Sequence, residues 1–177
     1  MPSSATRAAI VPAVRAMMLS RVGLFVSVLV LAASIDQAVK LAMAAYLTEV
    51  RMVAVAPFFN LRLGYNTGVS FGFLAETFRE LPGLLASIKV GIVFAIAVIA
   101  VRAKLRIETV ALALIAGGAI GNVIDRIRIG AVVDYIDLYY GAWHWPTFNL
   151  ADVFISIGVA LYLAAALLCG KKRAPAP

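Results

Sequence analysis

The sequence predicts an all-α membrane protein, four transmembrane helices with a small β-element added on the extracytoplasmic side. Three observations predict it. The 177 residues are 63% hydrophobic and 14% charged, with a mean hydropathy of +0.97, whereas a soluble domain carries about 25% charged residues. Four apolar windows, 22–46, 81–101, 107–124 and 150–169, approach the roughly 20 residues that a helix rising about 1.5 Å per residue needs to cross a bilayer. Between the first two, Phe59, Leu61, Leu63 and Tyr65 alternate with Asn60, Arg62, Gly64 and Asn66, the period of a half-buried strand.

Taken in order, residues 1–20 read as a cytoplasmic extension, disordered to about residue 16. Pro12 and Arg15 interrupt its apolar stretch and no clear cleavage site follows, so the first window is expected to be an uncleaved anchor. Met17 and Met18 are alternative starts. The first span carries Asp36 and Lys40, four residues apart on one helical face, a spacing that lets them pair and lowers the cost of burying both. The strand after it should end in a turn at Asn66-Thr67-Gly68. The second span has no charge in residues 93–101 and leads to a short basic connection at 102–106. In the third span Gly117, Gly118 and Gly121 permit close helix approach, Asn122 lies inside the apolar run, and Asp125 and Arg126 mark the outer end. The fourth span, 150–169, has one charged residue, Asp152, in its first turn. Aromatic residues Tyr139, Tyr140, Trp143, Trp145 and Phe148 precede it, as at a headgroup boundary. A basic tail occupies 171–177.

Charge distribution orients the spans. Residues 1–21, 102–106 and 170–177 hold nine Lys and Arg in 34 residues, and the loops 47–80 and 125–149 hold five in 59. The positive-inside rule therefore predicts both termini in the cytoplasm. The net charge of +7 sits at the ends of apolar runs rather than on a phosphate-binding face, which argues against nucleic acid. One cysteine, Cys169, and one histidine, His144, leave no intrachain disulfide and no Cys/His zinc site.

The polar residues converge near the outer surface. Asn149 and Asp152 share a helical face, and Asp134 lies eighteen residues upstream in an apolar run. Two carboxylates at short range do not both ionise cheaply, so one keeps a proton. Such a pair can deprotonate a water and polarise a carbonyl, which is peptide hydrolysis without metal, serine or cysteine. The alternative is a small transporter or proton relay lined by Asp36, Lys40, Lys89, Asp125 and Asp152. A lipid-binding scaffold is a third reading. A relay requires polar groups in both halves of the membrane, whereas these lie toward the outer ends.

The sequence blocks together resemble the type II (prolipoprotein) signal peptidases of bacterial inner membranes. They are Asp36-Gln37 with Lys40, Asn66-x-Gly68 with Phe71-Gly72, GGAIGNVIDR followed by Gly130 and VVDY, and FNLAD. The match covers about residues 20–170. The resemblance implies a four-helix membrane protease domain over 21–170, an aspartyl endopeptidase that removes signal peptides just before a lipid-modified cysteine. It implies Asp134 and Asp152 as the catalytic pair, and Asn66, Gly68, Gly118, Asn122, Asp125, Arg126, Asn149 and Ala151 as substrate-binding or supporting positions. Asp36 and Lys40 fall on a block regarded as structural. No metal or organic cofactor is implied; the expected partners are lipid-modified prolipoproteins and membrane lipids, with the enzyme acting as a monomer near the outer face. Tyr135 stands where phenylalanine is commoner, and Val69-Ser70 where alanines are.

Overall fold

The computed structural model describes the backbone of residues 4–67, 82–103 and 105–171, and the side chains of 17–67, 87, 88, 90–103 and 105–168. The chain runs α1 (Ser4–Val50), β1 (Met52–Ala56), β2 (Phe59–Asn66), α2 (Pro82–Arg102), α3 (Arg106–Ile129), β3 (Val132–Tyr140), β4 (Trp143–His144) and α4 (Leu150–Lys171). Among the described residues three helical stretches are long and apolar enough to cross a membrane: Met17–Val50, Arg106–Ile129 and Leu150–Leu168. A fourth apolar stretch, Val90–Arg102, belongs to α2.

Helix α3 is the centre of the bundle and packs against α1, α2 and α4. Small residues make this possible. A Cβ on Gly117 would meet Ala32 and the carbonyl of Leu29 on α1 at 2.8 Å, and one on Gly158 of α4 would meet the Ala111 carbonyl at 2.6 Å. Without apolar driving force between helices in lipid, such close approach is what packing contributes. Phe25, Ala100, Leu112, Ala113 and Ala116 form the apolar core among the helices, while Val26, Val30, Phe94 and Leu167 face outward.

The sheet caps one end of the bundle, because α1 and α3 run into it and α4 leaves from it. Its order is β1-β2-β3-β4, antiparallel throughout. Gly130 closes α3 with φ of 74°, its N–H donating to the Arg126 carbonyl at 3.0 Å. That left-handed conformation favours glycine, and it turns the chain directly into β3. Phe148 then bridges to Ile136 on β3, so the residues just before α4 are stitched to the strand that carries Asp134.

Three expectations change. Helix α1 begins at Ser4, inside the segment expected to be disordered; Ala5, Ala8, Ala9 and Ala13 are strong helix formers that extend the span backward. Helix α3 continues to Ile129, so Asp125 and Arg126 lie within it, and Asp125 is buried rather than at a water boundary. On β2 the most buried side chain is Asn60, and the apolar partners of the alternation are only half-buried or, at Tyr65, exposed. A buried carboxylate opposite Asn60 accounts for this, since Asn60 Nδ2 donates to Asp137 at 3.4 Å.

Candidate active site

The start of α4 organises the site. Asn149 is its N-cap: Asn149 Oδ1 accepts the N–H of Asp152 at 3.1 Å, and Asp152 Oδ2 accepts the N–H of Asn149 at 3.3 Å. This reciprocal pair is a capping box, with Asn and Asp in the places that Ser/Thr and Glu/Gln more often fill. The remaining free N–H groups of the first turn are met from elsewhere. Leu150 N–H donates to the Tyr135 hydroxyl at 3.2 Å and Ala151 N–H to Asp36 Oδ1 at 2.8 Å. The helix start is thereby fixed to α1 and β3 at once.

The cap residue also reaches the other carboxylate. Asn149 Nδ2 donates to Asp134 Oδ1 at 2.7 Å, with the Val133 carbonyl and Asn122 Oδ1 each at 3.2 Å. Asn122 Nδ2 in turn donates to Asp152 Oδ1 at 2.9 Å. Asp134 and Asp152 are thus joined through two asparagine side chains. Asp134 is 1% exposed, and its Oδ2 has no partner at hydrogen-bonding geometry among the described residues. Burial pushes its carboxyl up to about 6 against the lowering effect of Asn66, with the charge of Asp152 adding to the rise.

Beneath this pair lies a buried ionic cluster. Lys40 Nζ contacts Asp36 Oδ2 at 2.9 Å, Asp125 Oδ2 at 2.8 Å and Asn122 Oδ1 at 2.8 Å. Asp125 Oδ1 accepts from Gln37 Nε2 at 2.8 Å, and its Oδ2 from Val133 N–H at 3.2 Å. One lysine between two carboxylates, with the remaining lone pairs hydrogen-bonded, is the arrangement that makes buried charge tolerable. Gly121 leaves the room: a Cβ there would strike the Asp36 carboxylate. Gly118 serves similarly against the Ala151 carbonyl.

Every expected site residue within the described part of the chain belongs to this assembly or borders it. Arg126 donates to the Asn122 carbonyl at 3.4 Å and feels the charges of Asp134, Asp152 and Asp125; its Nε is buried with no partner among the described residues. Gly68 lies outside the described residues, as does the side chain of Lys89. Sequence reasoning passed over the role of Gln37, although it stood inside the Asp36-Gln37 block. It also missed Gly64, the register partner of Asp134. A Cβ there would meet Thr147 Oγ1 at 3.3 Å and the Asp134 carbonyl at 3.7 Å, so glycine lets Thr147 pack close to the strand pair. A groove of about 500 Å³ occupies that side, lined by Asp134, Asn66, Thr67, Thr147, Arg62 and His144 among others. Among the described residues no group of three or more His, Cys, Asp and Glu is arranged to hold a metal.

The chain can be set beside known proteins on this basis. The family model described as signal peptidase (SPase) II matches residues 28–168. Lipoprotein signal peptidase of Burkholderia mallei (strain SAVP1) is 43% identical over 129 residues, 72% of this chain and 78% of that one. That of Paraburkholderia phymatum is 46% identical over 127 residues, covering 71% and 76%. A bacterial membrane enzyme solved by the in meso method at 1.9 Å superposes with a TM-score of 0.71 at 30% identity, over 82% of this chain and 93% of that one. A second, at 2.3 Å, gives 0.69 at 27% identity, over 88% and 94%. The chain belongs to the signal peptidase II family, the aspartic-type endopeptidases of bacterial membranes that process lipoproteins.

Proposed function

We propose that the enzyme cleaves signal peptides from diacylglyceryl-modified prolipoproteins immediately before the lipidated cysteine, with Asp134 and Asp152 activating one water. The observation that carries this reading is Asn149, whose one side chain binds Asp134 at 2.7 Å and caps the helix turn that carries Asp152. Asp134, buried and with Oδ2 unpartnered among the described residues, holds the proton and donates it to the scissile carbonyl oxygen. Asp152, already an acceptor to Asn122 and Asn149, takes a proton from the water as its oxygen attacks the carbonyl carbon. The tetrahedral diol collapses when Asp152 returns that proton to the departing cysteine nitrogen and Asp134 recovers its own. Both carboxyls end as they began, which is two-carboxylate general acid–base catalysis.

The supporting residues divide by what they touch. Asn122 and Asn149 aim the two carboxyls. Arg126, with a buried Nε free of partners among the described residues, is available to the substrate backbone, and Asn66 lines the groove beside Asp134; Gly68 keeps the substrate-binding role its motif implies. Gly118 and Ala151 keep α3 and α4 close. Asp36, Lys40 and Asp125 hold the scaffold. The chain spans the bacterial inner membrane four times with both termini cytoplasmic, following its basic residues, and works as a monomer with the carboxylates near the outer face. A proton relay has less support, since the core formed by Phe25, Ala100, Leu112, Ala113 and Ala116 is apolar.

The test is mass-spectrometric: purified enzyme with a diacylglyceryl-modified precursor peptide should release one fragment ending before the modified cysteine. Asp134→Asn and Asp152→Asn should each lose at least about 10² of the rate while remaining folded. Retention of more than a tenth of the rate by either would remove that carboxylate from the chemistry.

A further inference from the structure

A second buried carboxylate stands beside the groove with no task in this chemistry. Asp137, on the same strand as Asp134, is fully buried. Its Oδ1 meets His144 Nδ1 at 2.8 Å, and its Oδ2 meets Asn60 Nδ2 at 3.4 Å and Arg62 Nε at 3.8 Å. The same His144 and Arg62 line the groove that reaches Asp134. Their side chains are 44% and 51% exposed. His144 stacks on Tyr139 with ring centroids 5.2 Å apart, so its ring is held on a second side.

We propose that Asp137 is a positioning residue that sets Arg62 and His144 as a rim, and that this rim is a specificity site for the first residues of the mature polypeptide, favouring acidic side chains there. This rests on the cleavage reaction proposed above. The direction follows from solvation. The signal segment before the cut is apolar and is best solvated by lipid and helix faces, whereas Arg62, Asn66, Thr67, His144 and Thr147 make a polar wall suited to the chain after it. The groove's volume of about 500 Å³ lies in the usual range of ligand clefts, about 300–1,000 Å³.

The sign of the preference follows from burial. An ionised Asp137 accepts only, so His144 Nδ1 carries a hydrogen toward it and Nε2 is the ring nitrogen left for the groove. The Asp137 charge is out of reach of an incoming side chain, while the guanidinium of Arg62 is half in solvent. An acidic side chain meets the cation directly; a lysine is repelled by it. Because Arg62 is half-exposed and partly balanced by Asp137, the preference is modest, about three- to tenfold.

The experiment uses full-length enzyme in detergent and two lipidated precursor peptides differing only in Glu or Lys at the second residue after the modified cysteine. Wild type should favour the Glu peptide in kcat/KM through KM, and the ratio should shrink with added salt. Arg62→Gln should bring the ratio to about one; at this half-exposed position it removes the cation without setting a second carboxylate against Asp137. Asp137→Asn, if it folds, should leave kcat within about threefold and lower the ratio by releasing Arg62 from its place; a raised ratio would mean that Asp137 only offsets the Arg62 charge and would overturn its positioning role. Equal wild-type rates on both peptides would overturn the proposal. So would a loss in Arg62→Gln that is the same for both, which would mean the rim holds the lipid or the backbone instead. Cleavage of neither peptide by wild type would overturn the parent reaction and this inference with it.

Discussion

Asp134 and Asp137 lie three residues apart on β3, both buried almost completely, and their surroundings push them in opposite directions. Around Asp134, burial and the charge of Asp152 outweigh the donors, and the carboxyl rises to about 6. Burial would raise Asp137 too, but the hydrogen bonds of His144 and Asn60 and the charge of Arg62 hold it below the ordinary carboxylate value. One carboxyl has an oxygen without a partner among the described residues and a groove beside it; the other has both oxygens engaged. A strand can therefore carry two aspartates three residues apart whose carboxyls are shifted in opposite directions. What separates them is how strongly each carboxyl is desolvated and which charge it faces: Asp134 lies deeper in the protein beside Asp152, whereas Asp137 lies shallower and faces Arg62 and His144.

The largest effect that could break this contrast is on rate. Asp134→Asn should reduce kcat by at least about 10², and Asp137→Asn should leave kcat within about threefold, both measured on one lipidated precursor. Equal losses would mean that the two carboxylates share a role. Asn149→Ala probes the link between the sites: it removes the donor to Asp134 and the cap of α4 together. A rate loss near 10² is expected from the misplaced carboxyls, alongside about 1 kcal/mol of stability from the lost cap. Gly121→Ala acts farther below. Its methyl must displace the Asp36 carboxylate, and overpacking of this kind costs about 1–3 kcal/mol, visible as a lowered Tm with a smaller change in rate.

Which parts were legible in the sequence follows the same physics. The apolar windows gave the helices because hydropathy over some twenty residues is a long, redundant signal. The three-residue spacing in FNLAD put Asn149 and Asp152 on one helical face, but the reciprocal capping box they form emerges only in the structure. Spacing alone could not reveal that Asn149 reaches Asp134, because that contact depends on Phe148 pairing with β3. Nor could it reveal that Lys40 serves Asp125 as well as Asp36, since the second bond crosses from α1 to α3. Asp137 stood in the sequence as the milder neighbour of Asp134, and its contacts were what spacing could not reveal. Its partners Asn60, Arg62 and His144 come from two other strands, and on β2 it is Asn60 that is buried because it faces Asp137 across the strand pair.

The pH dependence of stability isolates the two environments without substrate. A carboxyl raised from 3.8 to about 6 binds its proton more tightly in the folded state, so its contribution to stability is full below pH 4 and declines as pH rises toward 6. The span corresponds to at most about 3 kcal/mol. A lowered carboxyl behaves in reverse: its contribution is full above the ordinary carboxylate range and is lost as pH falls below it. Thermal unfolding in detergent from pH 3.5 to 7 should therefore change slope differently in the two variants. Asp134→Asn should remove a decline between pH 4 and 6 and be no less stable than wild type at pH 7, while Asp137→Asn should lower Tm at pH 7 and flatten the loss below pH 4. If Asp134→Asn were the less stable of the two at pH 7, the donors around Asp134 would outweigh its burial and the contrast along β3 would collapse.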